Sequence, residues 1–141
     1  MTLPQWILLG FAAWTLVVLF GTIGVYRWSG ILTGRARIYE WHPDTPQGSE
    51  WYRRAIRAHL NCIENLPVYG AIVFCASVSH ASGAVLDAFA LALLAARIGQ
   101  TTVHIAFAPS ALAGSLRFAF YFVQAVCMVA MGISVALVAA G

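Results

Sequence analysis

Four long apolar stretches, separated by short polar connections, account for most of this chain. They fall at about 6–27, 51–80, 84–107 and 113–140, and each approaches or reaches the ~20 residues a helix needs to cross a bilayer. The first carries no charge before Arg27, and the fourth carries only Arg117. The third is interrupted by Asp87, Arg97 and His104, and the second holds a polar block in its first half. No stretch alternates apolar and polar residues as a membrane-spanning strand must. The pattern predicts an all-α, integral membrane four-helix bundle, a single domain over residues 1–141. Thr2-Leu3-Pro4 reads as the start of the first helix, and Pro67 predicts a bend in the second.

Composition agrees with the pattern. The chain is 61% hydrophobic and 9% charged, against ~25% charged residues in a soluble domain. Its eight basic residues are all arginine and its net charge is +3. That excess is small and tied to the hydrophobic segments, so no nucleic-acid partner is expected. The first span lacks a basic leader, is too long for a signal core, and is followed rather than preceded by basic residues, unlike a cleaved signal peptide.

Five arginines lie between positions 27 and 54, and the positive-inside rule places that loop in the cytoplasm with both chain ends opposite. The turn-rich stretch Glu40–Glu50 is the one sizeable soluble segment. The short, loop-poor design is compatible with a bacterial inner membrane. With this topology Arg57, His59, Asn61 and Glu64 on the second span, Arg97 and His104 on the third, and Arg117 and Tyr121 on the fourth share one layer of the bilayer. Spacing adds to this. Arg57, Asn61 and Glu64 fall at i, i+4, i+7, which is one helix face. Arg97, Gln100 or Thr101, and His104 repeat the pattern, as do Arg117, Tyr121 and Gln124. His59 is off the first of these faces.

Ionisable groups at membrane depth are costly, avoid lipid and usually line a site or pathway. Arginine stays charged and grips carboxylates in bidentate fashion. A pocket of Arg57, Arg97, Arg117 and Arg37, with Glu64 the one nearby acid, suits a small anionic ligand bearing several carboxylates. The alternative is that these charges stitch helices or protomers together by ion pairs. Cys62, Cys75 and Cys127 show no CxxC spacing and read as packing thiols. The four histidines include no ligand pair, so no metal is expected. No phosphate-binding, dinucleotide-binding or serine-hydrolase glycine pattern occurs.

The segment Arg57-Ala58-His59-x-Asn61-x-x-Glu64-x-x-Pro67 resembles the hallmark of the MAPEG family, the membrane-associated proteins in eicosanoid and glutathione metabolism. It looks most like the branch of microsomal glutathione transferases and prostaglandin E synthase. Thr33-Gly34-x-x-Arg37 resembles the family's cytoplasmic end of helix one. Arg97 resembles its helix-three arginine, and Arg117 with Tyr121 the start of its helix four. The resemblance implies a homotrimer with a glutathione co-substrate site between protomers. Arg117 would stabilise the glutathione thiolate. Arg37, Arg57, Asn61, Glu64 and Tyr121 would contact the tripeptide, and Arg97 would serve ligand binding or helix packing. The implied activity is transfer of glutathione to lipophilic electrophiles, or reduction of lipid hydroperoxides. Phe118 stands where the prostaglandin synthase has serine, which argues against a prostaglandin isomerase. Gln100 and His104 stand at family histidine and tyrosine positions. A non-enzymatic lipid-binding or scaffold member is the alternative. A transporter subunit is disfavoured, because neither paired repeats nor broken midplane helices are evident.

Overall fold

The computed structural model describes residues 1–41 and 48–141, so the stretch Glu40–Glu50 falls partly outside the described residues. The described chain is helical with no strand. Helix α1 (Leu3–Val18) passes through a π-helical segment, Leu19–Gly24, into α2 (Val25–Leu32). Then follow α3 (Glu50–Val78), α4 (Ala84–Ala106) and α5 (Ala111–Ala140). Residues Leu3–Leu32 and the three later helices are each long and apolar enough to span a membrane.

Local chemistry sets the helix ends. The Gln5 side chain accepts the Thr2 backbone N–H at 2.8 Å, and Pro4 occupies the first turn, where its missing N–H costs nothing. Ser49 Oγ accepts from Tyr52 N–H at the start of α3, and Ser110 Oγ from Ala113 N–H at the start of α5. These caps satisfy donors that have no partner within the helix. Helix α2 stops in a Schellman turn. Arg35 N–H bonds the Gly30 carbonyl at 2.9 Å and Gly34 N–H that of Ile31 at 3.0 Å, with Gly34 at φ 69°. That left-handed conformation is open to glycine without strain. His80 (φ 56°) ends α3 similarly, with Ala81 N–H on the Ala76 carbonyl.

The first span outlasts the apolar run because Arg27 finds partners. Its Nε donates to Tyr52 Oη at 2.7 Å, and its guanidinium lies over the rings of Trp41 and Tyr52. Tyr26 stacks on Tyr52 at 4.3 Å and meets Trp41 edge-on. Helix α3 runs unbroken through Pro67.

Consecutive spans run antiparallel. Tyr69 of α3 donates to the Pro4 carbonyl of α1 at 3.0 Å, and Gln5 reaches Ser77 at 2.7 Å. The main core gathers Phe11, Cys62, Tyr69, Ala90, Leu93 and Met131. Buried alanines at 55, 58, 90 and 96 let backbones approach closely, as membrane helices favour. The most extensive helix pair is α4 with α5.

Candidate functional site

The polar residues of the apolar spans divide into an inner set and an outer set. Arg97 anchors the inner set. It is 0% exposed, its guanidinium sits 5.4 Å from the Phe11 ring centre, and its Nη1 donates to Gln100 Oε1 at 3.0 Å. The same oxygen accepts from Gln124 Nε2 at 3.1 Å. Gln100 Nε2 donates to the backbone carbonyl of Arg117 at 3.3 Å. Beside this chain Thr101 Oγ1 lies 3.7 Å from Cys62 Sγ, and Asn61 Nδ2 lies 3.4 Å from His104 Nε2. Helices α3, α4 and α5 therefore do share one polar layer, and α1 closes it with an aromatic ring. Arg97 Nε and Nη2 and Gln124 Oε1 are buried with no hydrogen-bond partner among the described residues, so the layer is satisfied only in part.

The outer set lies on the exposed side of this layer, with Arg57 and Arg117 within electrostatic reach of His104 and Glu64 within that of Arg97. Arg57 and Glu64 are exposed on α3, and Asn61 is half-buried between the two sets. Glu64 stands at the midpoint of the 29-residue α3, on the order of 20 Å from either helix end at 1.5 Å per residue. Among the described residues the single ion pair is Arg53–Glu50, one turn apart at the helix start. Neither Glu64 nor Arg57 has an intrachain ion partner among them. On α5 Arg117 is half-buried and Tyr121 is 49% exposed. Arg37 is exposed beyond the end of α2. Its Nη1 donates to Tyr39 Oη at 2.6 Å and its backbone N–H to Glu40.

Of the expected site residues, Asn61, Arg97 and the Arg117 backbone meet in the inner layer. Arg57, Glu64 and Tyr121 present outward, and Arg37 lies apart with Tyr39. Arg97, which the resemblance ties to ligand or packing, faces the inside of the subunit. The outer set has the chemistry for a zwitterionic peptide. Arg57 and Arg117 are cations that take carboxylates, and Glu64 is a carboxylate that takes an ammonium. Among the described residues no group of His, Cys, Asp and Glu could hold a metal ion. All three cysteines are unpaired thiols.

A second feature lies across the membrane from the polar layer. An apolar groove of about 710 Å³ opens between the C-terminal ends of α3 and α5, lined by Ile72, Phe74, Cys75, Val78, Val135 and Val138 among others. Cys75 is on the order of 20 Å along α3 from Asn61.

Sequence reasoning missed the Tyr26–Trp41–Tyr52–Arg27 cluster. Its members are joined through a folded-back connection, and their spacing carries no period. The sole signal in the sequence is an arginine at a span's end with aromatic residues on both flanks, Tyr26 and Trp28.

The arrangement defines an integral membrane helical bundle, with four spans and an intramembrane layer of arginine, amide and carboxylate groups. The MAPEG family model matches residues 6–137, and the chain belongs to that family. No curated protein and no solved structure shows significant similarity to it.

Proposed function

We propose that this chain is a membrane-embedded, glutathione-dependent transferase or peroxidase that acts on lipophilic electrophiles as a homotrimer. The observation that carries the reading is Glu64, an exposed carboxylate at the middle of a membrane-spanning helix with Arg57 two turns before it. Such groups are not left against lipid. With no ion partner in their own chain among the described residues, they call for a neighbouring copy and a charged ligand. Family membership supports glutathione as that ligand, and the charges fit it. Its two carboxylates would be held by arginines, with Arg57 and Arg37 foremost, and its ammonium by Glu64. Asn61 and Tyr121 would add hydrogen bonds.

Arg117 would do the chemical work. A free thiol near pKa ~8.5 is mostly protonated at neutral pH, and an adjacent guanidinium favours the thiolate. The proton leaves to solvent at the polar end of the site. In conjugation, sulfur then forms a C–S bond as the leaving group departs with its electron pair. In peroxide reduction, two glutathiones give the disulfide while the hydroperoxide becomes an alcohol and water. Lipophilic substrate would reach the thiolate laterally, already dissolved in the membrane.

The test is difference absorbance of the detergent-purified protein titrated with glutathione. A saturable thiolate band, absent in Arg117→Ala, is expected. A well-formed oligomer with no band would sink the reading. A second reading, a non-enzymatic lipid-binding or scaffold member, is favoured by one feature: the apolar groove between α3 and α5 suits an acyl chain and lies far from Arg117. In that case glutathione would leave the spectrum unchanged while a labelled lipid co-purifies.

A further inference from the structure

Arg97 is fully buried in the subunit, yet it is connected to Arg117. The hydrogen-bond directions along that connection follow from chemistry. A guanidinium has donors and no acceptor, so Gln100 must turn its oxygen towards Arg97 Nη1, at 3.0 Å. That choice aims the Gln100 NH₂ away, and it meets the one kind of group it can serve, the Arg117 carbonyl, at 3.3 Å. Gln124 must then offer its own NH₂ to the shared Gln100 oxygen, at 3.1 Å. The same NH₂ donates to the Phe120 carbonyl at 2.8 Å, tying it to the backbone of α5. Gln100 and Gln124 are buried, so water does not compete for these bonds. Phe120 packs on Gly99 beside them. The turn of α5 that bears Arg117 is therefore held on α4 by a directed chain that starts at a fixed buried charge.

We infer that Gln100 is a positioning residue for the proposed thiol chemistry. It sets the rotation and height of the Arg117 turn on α5, with Gln124 as its clamp and Arg97 as its anchor. The inference rests on the reading of Arg117 given above. Gln100 is buried, and its polar atoms are taken up by Arg97, Gln124 and the Arg117 carbonyl. Its effect therefore belongs in how well Arg117 stabilises the thiolate, and not in how tightly glutathione binds.

Two substitutions separate this role from simple packing. Gln100→Glu keeps an acceptor for Arg97 and for Gln124, and the buried carboxylate is paired with Arg97. It adds a negative charge, replaces the donor to Arg117 and sets an oxygen against the Arg117 carbonyl. Gln100→His restores one acceptor and one donor on a single neutral ring. Each full-length variant would be purified in detergent, sized, and titrated with glutathione at neutral pH while the thiolate band is read. We expect the band at saturation to fall by up to about tenfold in Gln100→Glu, the limit set by a rise of one unit in the thiol pKa. Glutathione affinity and oligomer size should hold, and Gln100→His should recover most of the band.

A full-strength band in Gln100→Glu would overturn the positioning role while leaving the thiol reading intact. Affinity falling in step with the band would overturn it too, by making Gln100 a ligand contact. So would dissociation of both variants, which would make the residue structural alone. A missing band in the unsubstituted protein would instead remove the thiol reading, and this inference with it.

Discussion

Phe120 of α5 sets the far end of its ring against Gly99 of α4, so close that a Cβ at position 99 would come within 2.8 Å of two of its ring atoms. These two helices form the most extensive pair of the bundle. Gly99→Ala must displace the ring, at a cost at the low end of the ~1–3 kcal/mol typical of overpacking because the clashing atoms are the far end of a side chain. With Phe120→Leu in place the same alanine should become neutral or stabilising, since alanine exceeds glycine by about 1 kcal/mol in helix propensity. Thermal unfolding of the four proteins of that cycle in one detergent checks the reversal of sign. A glycine that costs the same to replace on both backgrounds would show that the ring contact is not the reason.

Tyr69 fastens α3 to the first turn of α1. It is 0% exposed and donates to the Pro4 carbonyl at 3.0 Å, and its ring stands 6.3 Å from that of Phe11. Tyr69→Phe keeps the ring and deletes the bond, so a loss of about 1 kcal/mol is expected. Tyr69→Ala also opens a cavity and should cost about 3–5 kcal/mol, as for other large aromatic truncations. Denaturant titration in mixed micelles reads both. Similar losses from the two variants would contradict the ring's place in the core.

The four-helix plan was legible because bilayer thickness turns apolar length directly into span number, and the runs around 6–27 and 113–140 have almost no charge to obscure it. The polar layer was legible in part. Spacing put Arg57, Asn61 and Glu64 on one face, and Arg97, Gln100 and His104 on another. Periodicity says that residues share a face and not which way the face turns. Packing decided that. Arg97 turned inward onto Phe11, and Glu64 turned outward. The extension of the first span to Leu32 was hidden because Arg27 looks like a boundary. Its charge is instead taken up by Tyr52 and Trp41, which lie elsewhere in the chain. The π-helical turn at Leu19–Gly24 left no mark in hydropathy. There Thr22 Oγ1 bonds back to the Val18 carbonyl, a local bond that competes with regular helix bonding.

The proposed role of Arg117 fixes the sign of a pH dependence. Glutathione free in solution titrates near pKa ~8.5, and a guanidinium beside the bound thiol lowers that value. The reactive thiolate is present above the bound pKa and lost below it. The conjugation rate should thus stay high as pH falls through ~8.5 and decline only at more acid pH. In Arg117→Ala the decline should move up towards the free-thiol value, with a rate at neutral pH lower by about tenfold for each unit by which the thiol pKa then exceeds the assay pH. A rate profile measured with one electrophile at saturating glutathione checks this. Superimposable profiles would assign thiol activation to some other group.

Glu64 and Arg57 separate ligand binding from subunit stitching. If their charges serve glutathione, Glu64→Gln and Arg57→Ala should each weaken its binding by about tenfold to a hundredfold, the equivalent of ~1.5–3 kcal/mol for a bond to a charged group. The oligomer should survive, because a neutral amide or a methyl group at the interface leaves no partner charge buried alone. If the charges instead join protomers, removing one of a buried pair strands the other at a cost of about 3–5 kcal/mol, and the oligomer should come apart in detergent. Light scattering on a sizing column gives the mass of each variant, and calorimetric titration gives its affinity for glutathione. An intact oligomer with weakened binding is the expected pair of results. Monomers that appear in both variants would show that the outer charges serve assembly first, and the carboxylate-binding role would then fall to Arg117 and Arg37.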